Sequence, residues 1–354
     1  MTSFDSNSPY RRLARTLDAL PNRFPPAEND LDLKLLAKIF SAEEAGLAAD
    51  LLPEPEPAAQ IAARLGLDPQ HTTSLLKEMS KKGLITFGRT AQGRFGFGLL
   101  PFVVGIYEAQ VGRIDAEMAQ LFEVYFQKSF RSALKIQPQY HRVIPVRETV
   151  KNDMEVRPYE SVSELVESAQ SWGVVDCICR TQKALIGEGC DHPRDVCMVL
   201  SQKSEAFAGN TVIRALTQQE AYDTLNRAAA AGLVHCVSNN QRDLWYICNC
   251  CTCSCSILRG MAELGIANVI ARSAFINRVD EMRCAGCGAC IEMCQFSALS
   301  MGDAGTVHVS DMRCVGCGVC VPVCPEDALA LDRRISEPSP PETDAAWGAA
   351  RKSG

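Results

Sequence analysis

Two runs of cysteine decide the fold: CAGCGACIEMC at residues 284–294 and CVGCGVCVPVCP at residues 314–325. In each run two residues separate the first three cysteines, and three residues precede the fourth. The second run repeats the first at a constant offset of 30 residues, and the flanking residues repeat as well. Zinc sites use paired Cys-x2–4-Cys motifs, so two runs of four indicate metal clusters held by a duplicated unit.

The duplicated unit resembles the bacterial ferredoxin with two 4Fe–4S clusters, over about 55 residues. In that pattern the fourth cysteine of each run serves the other cluster. The resemblance implies that the first 4Fe–4S cluster uses Cys284, Cys287, Cys290 and Cys324. It implies that the second uses Cys314, Cys317, Cys320 and Cys294. Gln295 stands where the second run has Pro325, a departure that concerns loop geometry and not ligation.

The distribution of cysteine excludes several classes of protein. The chain has 354 residues and 18 cysteines, and all 18 lie between Cys177 and Cys324. The polar start of the chain has no apolar core of signal-peptide type, so we expect a cytoplasmic protein whose cysteines bind metal. The longest apolar run, at 99–107, is too short for a membrane span. A net charge of −6 argues against nucleic-acid binding over the whole surface.

Ten further cysteines lie before the duplicated unit. Nine of them are assigned to further iron–sulfur clusters: Cys177, Cys179, Cys190, Cys197, Cys248, Cys250, Cys251, Cys253 and Cys255. They suffice for one or two clusters, which gives three or four 4Fe–4S clusters in all. Cys236 is predicted to be an ordinary buried residue. His192 and His235 are interpreted as non-ligands. Arg180, directly after Cys179, either compensates the charge of a cluster or forms an ordinary salt bridge.

The whole chain resembles a bacterial family of iron–sulfur proteins. The matching segments are LLPFVVGIYEAQ (99–110), VIPV (143–146), CICR (177–180), GEGCDHP (187–193), CNCC (248–251) and the ferredoxin repeat. Members pair an N-terminal winged helix with a cysteine-rich middle region and a C-terminal ferredoxin with two clusters. The resemblance implies further 4Fe–4S sites in the middle region, but no settled activity.

Residues 61–87 resemble the winged helix-turn-helix of bacterial transcription regulators. Asp68 and Pro69 start its second helix, and strands are predicted at 84–88 and 94–99. A face for DNA or for docking is predicted at Gln70, His71, Thr73, Lys77, Lys81, Lys82, Arg89 and Arg94. DNA binding is the less favoured interpretation, because winged helices also serve as scaffolds for protein contacts.

The fold class is α+β, in six segments. They are a flexible arm (1–30), a winged helix-turn-helix (31–105), a long amphipathic helix (106–140), a cysteine-rich α+β domain (141–278), the ferredoxin domain (279–334) and a disordered tail (335–354). Strands are predicted at 142–146, 174–177 and 233–237, and helices at 161–170 and 217–231. The apolar face at 108–135 indicates either core packing or a homodimer interface.

These features favour a multi-cluster 4Fe–4S electron-transfer protein that serves a partner oxidoreductase. One alternative is a redox-sensing transcription regulator that acts through the winged helix. A second alternative is a reductase with an open cluster site in the middle domain. Whether the chain is itself an enzyme stays open, because nucleotide, flavin and hydrolase motifs are absent from the sequence.

Overall fold

The computed structural model describes residues 4–146, 150, 156–336 and 338–353. The chain divides into two compact units. The first comprises Met1–Ala133 with Leu185–Glu188, and the second comprises Leu134–Ala184 with Gly189–Gly354. All the cysteines of the chain belong to the second unit.

The first unit begins with helices and continues into a hairpin. The helices are α1 (Pro9–Asp18), α2 (Leu31–Ile39), α3 (Ala42–Ala48), α4 (Ala58–Leu65) and α5 (Pro69–Lys81). The hairpin pairs β1 (Ile85–Arg89) with β2 (Phe95–Leu99) in antiparallel register. This order of α4, α5 and hairpin is the one expected from the sequence, while the assignment to the winged-helix family stays a prediction.

Local capping signals place the helix starts. The Ser41 hydroxyl accepts from the backbone N–H of Glu44, and the Glu44 carboxylate accepts from that of Ser41, a reciprocal capping box at α3. Asp68 accepts from the His71 N–H at 2.7 Å at the start of α5, where Pro69 occupies the first turn. Gly66 ends α4 in the left-handed region.

The prediction of a flexible arm at 1–30 is wrong for residues 4–30, which the structure describes. Residues Pro9–Asp18 form α1, and Leu13, Leu17 and Phe24 are buried. The spacing of Leu13 and Leu17 gives the helix one apolar face, and the Phe24 ring lies 4.4 Å from that of Phe102. Residues 1–3 of the predicted arm lie outside the described residues.

The long helix predicted at 106–140 is shorter than expected. It begins at α6 (Ala116–Tyr125), continues through a π-turn at Phe126–Phe130 and ends with α7 (Arg131–Leu134). Asp115 sets this start, because its carboxylate accepts from the Met118 N–H at 2.8 Å. The rings of Tyr107 and Phe122 stack 3.7 Å apart within the first unit. Core packing therefore accounts for this apolar face, and the homodimer stays a prediction without support.

The second unit is built on a sheet of six antiparallel strands in its described part. The strands are β3 (His141–Val143), β4 (Ser171–Val175), β5 (Cys197–Ser201), β6 (Arg214–Leu216), β7 (Val234–Ser238) and β8 (Tyr246–Cys250). Their spatial order is β3-β7-β8-β5-β4-β6. The strands near 142, 174 and 234 agree with the sequence prediction to within a few residues.

Helices of the second unit border this sheet. They are α8 (Val162–Ser168), α9 (Ile178–Leu185), α10 (Gln218–Ala230) and α11 (Ser256–Ala262). The capping box of Thr217 and Glu220 starts α10, as the sequence predicts. Apolar residues of α8 and α10, such as Val166 and Leu225, pack with Val174 and Ile247 of the sheet in one buried core.

The ferredoxin part contains two small antiparallel sheets. β9 (Phe275–Val279) pairs with β12 (Leu329–Arg333), and β10 (Leu299–Met301) pairs with β11 (Val307–Val309). The helix α12 (Ala289–Met293) lies within the first cysteine run. The predicted domain start at 279 is too late, because β9 already belongs to the first of these sheets.

The predicted disordered tail at 335–354 is wrong for Asp344–Ser353, which form the helix α13. The buried Arg351 donates from Nη1 to the carbonyls of Ile136 and Pro138, at 2.8 and 2.6 Å. Trp347 Nε1 donates to the Gln139 carbonyl at 2.8 Å. These long-range bonds hold a segment whose composition alone suggests disorder. Residues 337 and 354 of the predicted tail lie outside the described residues.

Candidate iron–sulfur and metal centres

The eight cysteines of the duplicated unit line two cavities. One cavity is lined by the first quartet, Cys284, Cys287, Cys290 and Cys324. The other is lined by the second quartet, Cys294, Cys314, Cys317 and Cys320. In each cavity three cysteines of one run therefore meet the fourth cysteine of the other run.

The electrostatic neighbours of the thiols follow the same grouping. Burial raises the pKa of Cys290, and the thiolates of Cys324, Cys287 and Cys284 raise it further. In the second quartet burial raises the pKa of Cys320, and the thiolates of its three partners raise it further. Burial is also the main reason that the pKa of Cys317 rises to about 12. Thiolates this close need a cationic partner, and iron supplies that charge in a cluster.

Tight loops carry the first three cysteines of each run. Gly286 and Gly316 have φ angles of 67° and 70°, in the left-handed region. A Cβ at Gly286 would overlap the carbonyl of Gly305, and one at Gly316 would overlap the carbonyl of Phe275. Glycine is therefore required at both positions for sterics as well as for backbone conformation.

Hydrogen-bond donors point at the sulfurs of both quartets. The backbone N–H groups of Ala298 and Ala328 lie 3.3 Å from Cys294 Sγ and Cys324 Sγ, at equivalent positions of the repeat. The buried Asn277 breaks this symmetry, because its Nδ2 donates to Cys320 Sγ at 3.0 Å. Such bonds stabilise a thiolate and tune the potential of a cluster that it binds. No motif in the sequence pointed to Asn277.

Six middle cysteines form a closed ring of interacting thiols, here called the thiol ring. The ring runs through Cys177, Cys179, Cys255, Cys250, Cys248 and Cys197 and returns to Cys177. Interactions with Cys179 and Cys197 hold the pKa of Cys177 well below its ordinary value. The interaction with Cys177 raises the pKa of Cys179. Interactions with neighbouring thiols, together with burial, also raise the pKa of Cys197, Cys248, Cys250 and Cys255, so Cys177 is the ring member that favours the thiolate when no metal is bound.

The ends of three neighbouring strands, β4, β5 and β8, bring the ring together. Val175, at the end of β4, pairs with Cys197, at the start of β5. The strand β8 runs beside β5 and ends at Cys250. The chain then turns from each strand into a helix, with Cys177 just before α9 and Cys255 as the N-cap of α11. Backbone N–H groups of the two first turns bond to these thiols and lower the pKa of both, but at Cys255 the neighbouring Cys250 thiol and burial outweigh this bond and the pKa is raised.

Cys236 is wholly buried on β7, opposite Cys248 of β8. Its Sγ lies 3.5 Å from the Val234 carbonyl, and its thiol interacts with Cys250 of the ring. Burial raises the pKa of Cys236, and the nearby thiolates of Cys255, Cys317 and Cys197 raise it further. The prediction of an ordinary buried residue at Cys236 agrees with this burial.

The other three middle cysteines form a separate group with a histidine. This compact group consists of Cys190, His192, Cys251 and Cys253. Cys251 is buried and Cys253 is exposed, while Cys190 and His192 are half-buried. The nine cysteines assigned together from the sequence are thus divided into six and three. The sequence interpretation gave His192 no ligand role, although its position two residues after Cys190 was a signal.

The buried Arg180 lies between the thiol ring and the compact group. Its Nη1 donates to the Asn249 carbonyl at 3.0 Å and approaches Cys251 Sγ at 3.8 Å. Burial lowers the pKa of Arg180, but the thiolates of Cys177, Cys197 and Cys251 raise it by more. No carboxylate pairs with this guanidinium among the described residues, so compensation of thiolate charge is the better of the two sequence interpretations.

Gln295 joins the second cysteine quartet to the middle region. Its Oε1 accepts from the Thr252 N–H at 2.7 Å, between Cys251 and Cys253. Its Nε2 donates to the Gly232 carbonyl. The departure from proline in the first run thus gives a side chain that bonds two middle loops, which proline cannot do.

The predicted DNA or docking face of the first unit is only partly available. Gln70, Lys77, Lys81, Arg89 and Arg94 are exposed. His71 pairs with Glu43 at 2.6 Å and Lys82 pairs with Glu44 at 2.6 Å, which neutralises two of the predicted contacts. The hydroxyl of Thr73 donates to the Pro69 carbonyl at 2.7 Å.

Residues 277–331 match the family described as the 4Fe-4S dicluster domain. This segment contains both cysteine runs and both quartets. Neither a curated protein nor a solved structure matches the chain. In the described part of the chain, no helix has the length and apolar composition to span a bilayer. The chain is thus an iron–sulfur protein with a C-terminal ferredoxin-like domain that binds 4Fe–4S clusters, and these features indicate iron–sulfur electron transfer.

Proposed function

We propose that this protein is an electron-transfer component with three 4Fe–4S clusters, which exchanges electrons with a partner oxidoreductase. The observation that carries the proposal is the contact of the sheet with the second quartet: the Val146 N–H donates to the Cys317 carbonyl, and the Ile144 N–H donates to the carbonyl of His235, the neighbour of Cys236 on β7. Bound clusters would supply one-electron carriers at these positions.

The two quartets are the proposed ligand sets of the first and second clusters. Three cysteines of one run and one of the other line each cavity, which supports crossed ligation. Crossed ligation makes each half of the repeat depend on the other half for a ligand. Asn277 and the backbone N–H groups of Ala298 and Ala328 then stabilise the thiolates.

The thiol ring is the proposed site of the third cluster. A cubane takes four thiolates, and the ring offers six beside the ends of β4, β5 and β8. Cys177, Cys250 and Cys255 are buried, so the ring is largely shielded from water. Arg180 and the first turns of α9 and α11 provide positive potential toward the ring.

Short backbone links hold the sheet against the second quartet. The Val146 N–H donates to the Cys317 carbonyl at 2.9 Å, and the Ile144 N–H donates to the His235 carbonyl at 3.0 Å. The Ser273 hydroxyl donates to the Gly316 carbonyl at 2.7 Å. These bonds fix the spacing between the ring and the quartet, which electron transfer requires to be short and constant.

The first quartet is the proposed exchange point with the partner. Cys287 is exposed, whereas the thiols of Cys314, Cys317 and Cys320 in the second quartet are buried. A partner protein would therefore approach from the side of the first quartet.

An anaerobic redox titration of the full chain, followed by electron paramagnetic resonance, tests the proposal. Three reduced cluster signals are expected, with magnetic interaction between at least two of them. The reduced chain is also expected to pass electrons to an added acceptor such as cytochrome c. Two signals alone would contradict a cluster at the thiol ring. Failure to reduce any acceptor would contradict the electron-transfer function.

A redox-sensing transcription regulator is the second candidate. The observation that favours it is a set of like charges, Lys77 and Lys81 on α5 with Arg89 and Arg94 on the hairpin, all exposed. A gel-shift assay at low salt, with DNA from upstream of the gene and with oxidised and reduced protein, tests this candidate. Lys77→Ala with Lys81→Ala should weaken binding, while Lys38→Ala, whose ammonium pairs with Asp115, should not. No shift in either redox state would exclude the candidate.

A further inference from the structure

The compact group has a geometry that differs from that of the cluster quartets. The ligand atoms of Cys190, His192, Cys251 and Cys253 all lie within 4.8 Å of one another. Across the described ranges, no other set of three or more Cys, His, Asp or Glu residues is this compact. The quartets of the ferredoxin domain are therefore wider, and each surrounds a cavity.

Individual distances fit one ion bound by four ligands. The Sγ atoms of Cys190 and Cys251 are 4.0 Å apart, and Cys253 Sγ lies 3.6 Å from His192 Nδ1. Zinc–sulfur and zinc–nitrogen bonds of ordinary length in a tetrahedron place two sulfurs about 3.8 Å apart and sulfur and nitrogen about 3.5 Å apart. A cubane holds iron and sulfide between its thiolates and so needs the wider spacing of the quartets.

The chemistry of the donors also points to one ion. Three thiolates and an imidazole are a common set for structural zinc, and they match its borderline softness. The ligands come in two short pairs, Cys190 with His192 before β5 and Cys251 with Cys253 after β8. The ion would therefore cross-link two loops that share no strand pairing at these positions.

Two neighbours of the group support a bound ion. Three thiolates around a dication leave one negative charge, and the buried Arg180 approaches Cys251 Sγ at 3.8 Å. The Nε and Nη2 atoms of Arg180 are buried and have no hydrogen-bond partner in the part of the chain that the structure describes. Ser254 Oγ lies 3.3 Å from Cys190 Sγ and is a further donor to a thiolate.

We propose that Cys190, His192, Cys251 and Cys253 bind a single tetrahedral zinc ion, separate from the iron–sulfur clusters. Four protein ligands leave no open position, so the site is structural and not catalytic. It closes the loop that carries Cys250, Cys251 and Cys255, and so it fixes one side of the thiol ring. The zinc site does not depend on the proposed electron-transfer function.

Metal analysis of the full chain, purified anaerobically with its clusters, tests the site. Wild-type protein should contain about one zinc per chain in addition to its iron. His192→Ala and Cys253→Ser should each lose most of the zinc and leave iron and acid-labile sulfide unchanged. His308→Ala, at an exposed histidine of the ferredoxin domain, is the matched control and should keep the zinc.

X-ray absorption at the zinc edge supplies a second readout that does not depend on losing the metal. The wild type should show about three sulfur ligands and one nitrogen ligand, and His192→Cys should keep zinc with about four sulfur ligands. Absence of zinc from the wild type would overturn the proposal, as would zinc retained in both loss variants. A fall of about four iron atoms in Cys253→Ser would also overturn it, because Cys253 would then be a cluster ligand.

Discussion

The ferredoxin domain and the middle region arrange their thiols in two different ways. In the ferredoxin domain the cysteines of each quartet surround a cavity and influence one another at a distance. In the middle region six thiols at the ends of neighbouring strands shift one another's pKa, and three others form a compact group with His192. Spacing along the chain therefore defines the ligands of the ferredoxin domain, whereas the ends of paired strands define those of the middle region.

The largest expected effect tests the crossed ligation of the two quartets. Cys284→Ala combined with Cys324→Ala should remove one cluster, about four iron atoms, because both residues belong to the first quartet. Cys284→Ala combined with Cys294→Ala should remove two clusters, about eight iron atoms. Iron and sulfide analysis of anaerobically purified protein measures the difference. Equal losses in the two double variants would contradict crossed ligation.

The next prediction tests the thiol ring against the quartets. Replacing Cys177, Cys179 and Cys197 together by serine leaves three ring thiols, one too few for a cubane held by four thiolates. Iron should fall by about four atoms per chain, while the signals of the two ferredoxin clusters remain. Cys236→Ser is the control, and it should keep all the iron because Cys236 lies outside the ring. Full iron content in the triple variant would show that the ring binds no cluster.

A smaller effect is expected where the two regions are joined. Gln295→Pro restores the proline of the second run and leaves the Thr252 N–H without its partner. Because the partly buried N–H of Thr252 then has no hydrogen-bond acceptor, the free energy of unfolding should fall by about 1–3 kcal/mol. Thermal unfolding followed by cluster absorbance measures this as a lower midpoint. The reciprocal Pro325→Gln, at an exposed position, should change stability little, and equal effects of both variants would refute a joining role for Gln295.

The smallest effect concerns charge beside the thiol ring. Arg180→Gln removes a buried cation and should make reduction of the nearby cluster less favourable, because the reduced form carries more negative charge. The potential should fall by about 60 mV, a tenfold change for a one-electron couple. Arg180→Lys should restore most of this potential in the same titration. An equal fall in both variants would indicate that Arg180 acts through packing and not through charge.

The sequence predicts the features that depend on local spacing. The capping boxes of Ser41 with Glu44 and of Thr217 with Glu220 act within one helical turn, and both are observed. The cysteine repeat carries its own ligand spacing, and the family match covers it. The order of α4, α5 and the hairpin also followed from local turn signals.

Features that depend on contacts between distant residues were not predictable. The division of the middle cysteines follows from the pairing of β4 with β5 and of β5 with β8, which no spacing encodes. The flexible arm and the disordered tail were predicted from local composition alone. Leu13 and Trp347 nevertheless find buried positions through tertiary contacts. Gln295 was visible only as a missing proline, since its partners lie in other loops.

The iron, acid-labile sulfide and zinc contents of the full chain, measured together after anaerobic purification, decide whether the protein holds three clusters and a separate zinc ion. Three clusters and one zinc site predict about twelve iron atoms, about twelve sulfides and about one zinc per chain. About eight iron atoms would contradict a cluster at the thiol ring. About sixteen iron atoms without zinc would contradict the separation of the compact group from the clusters.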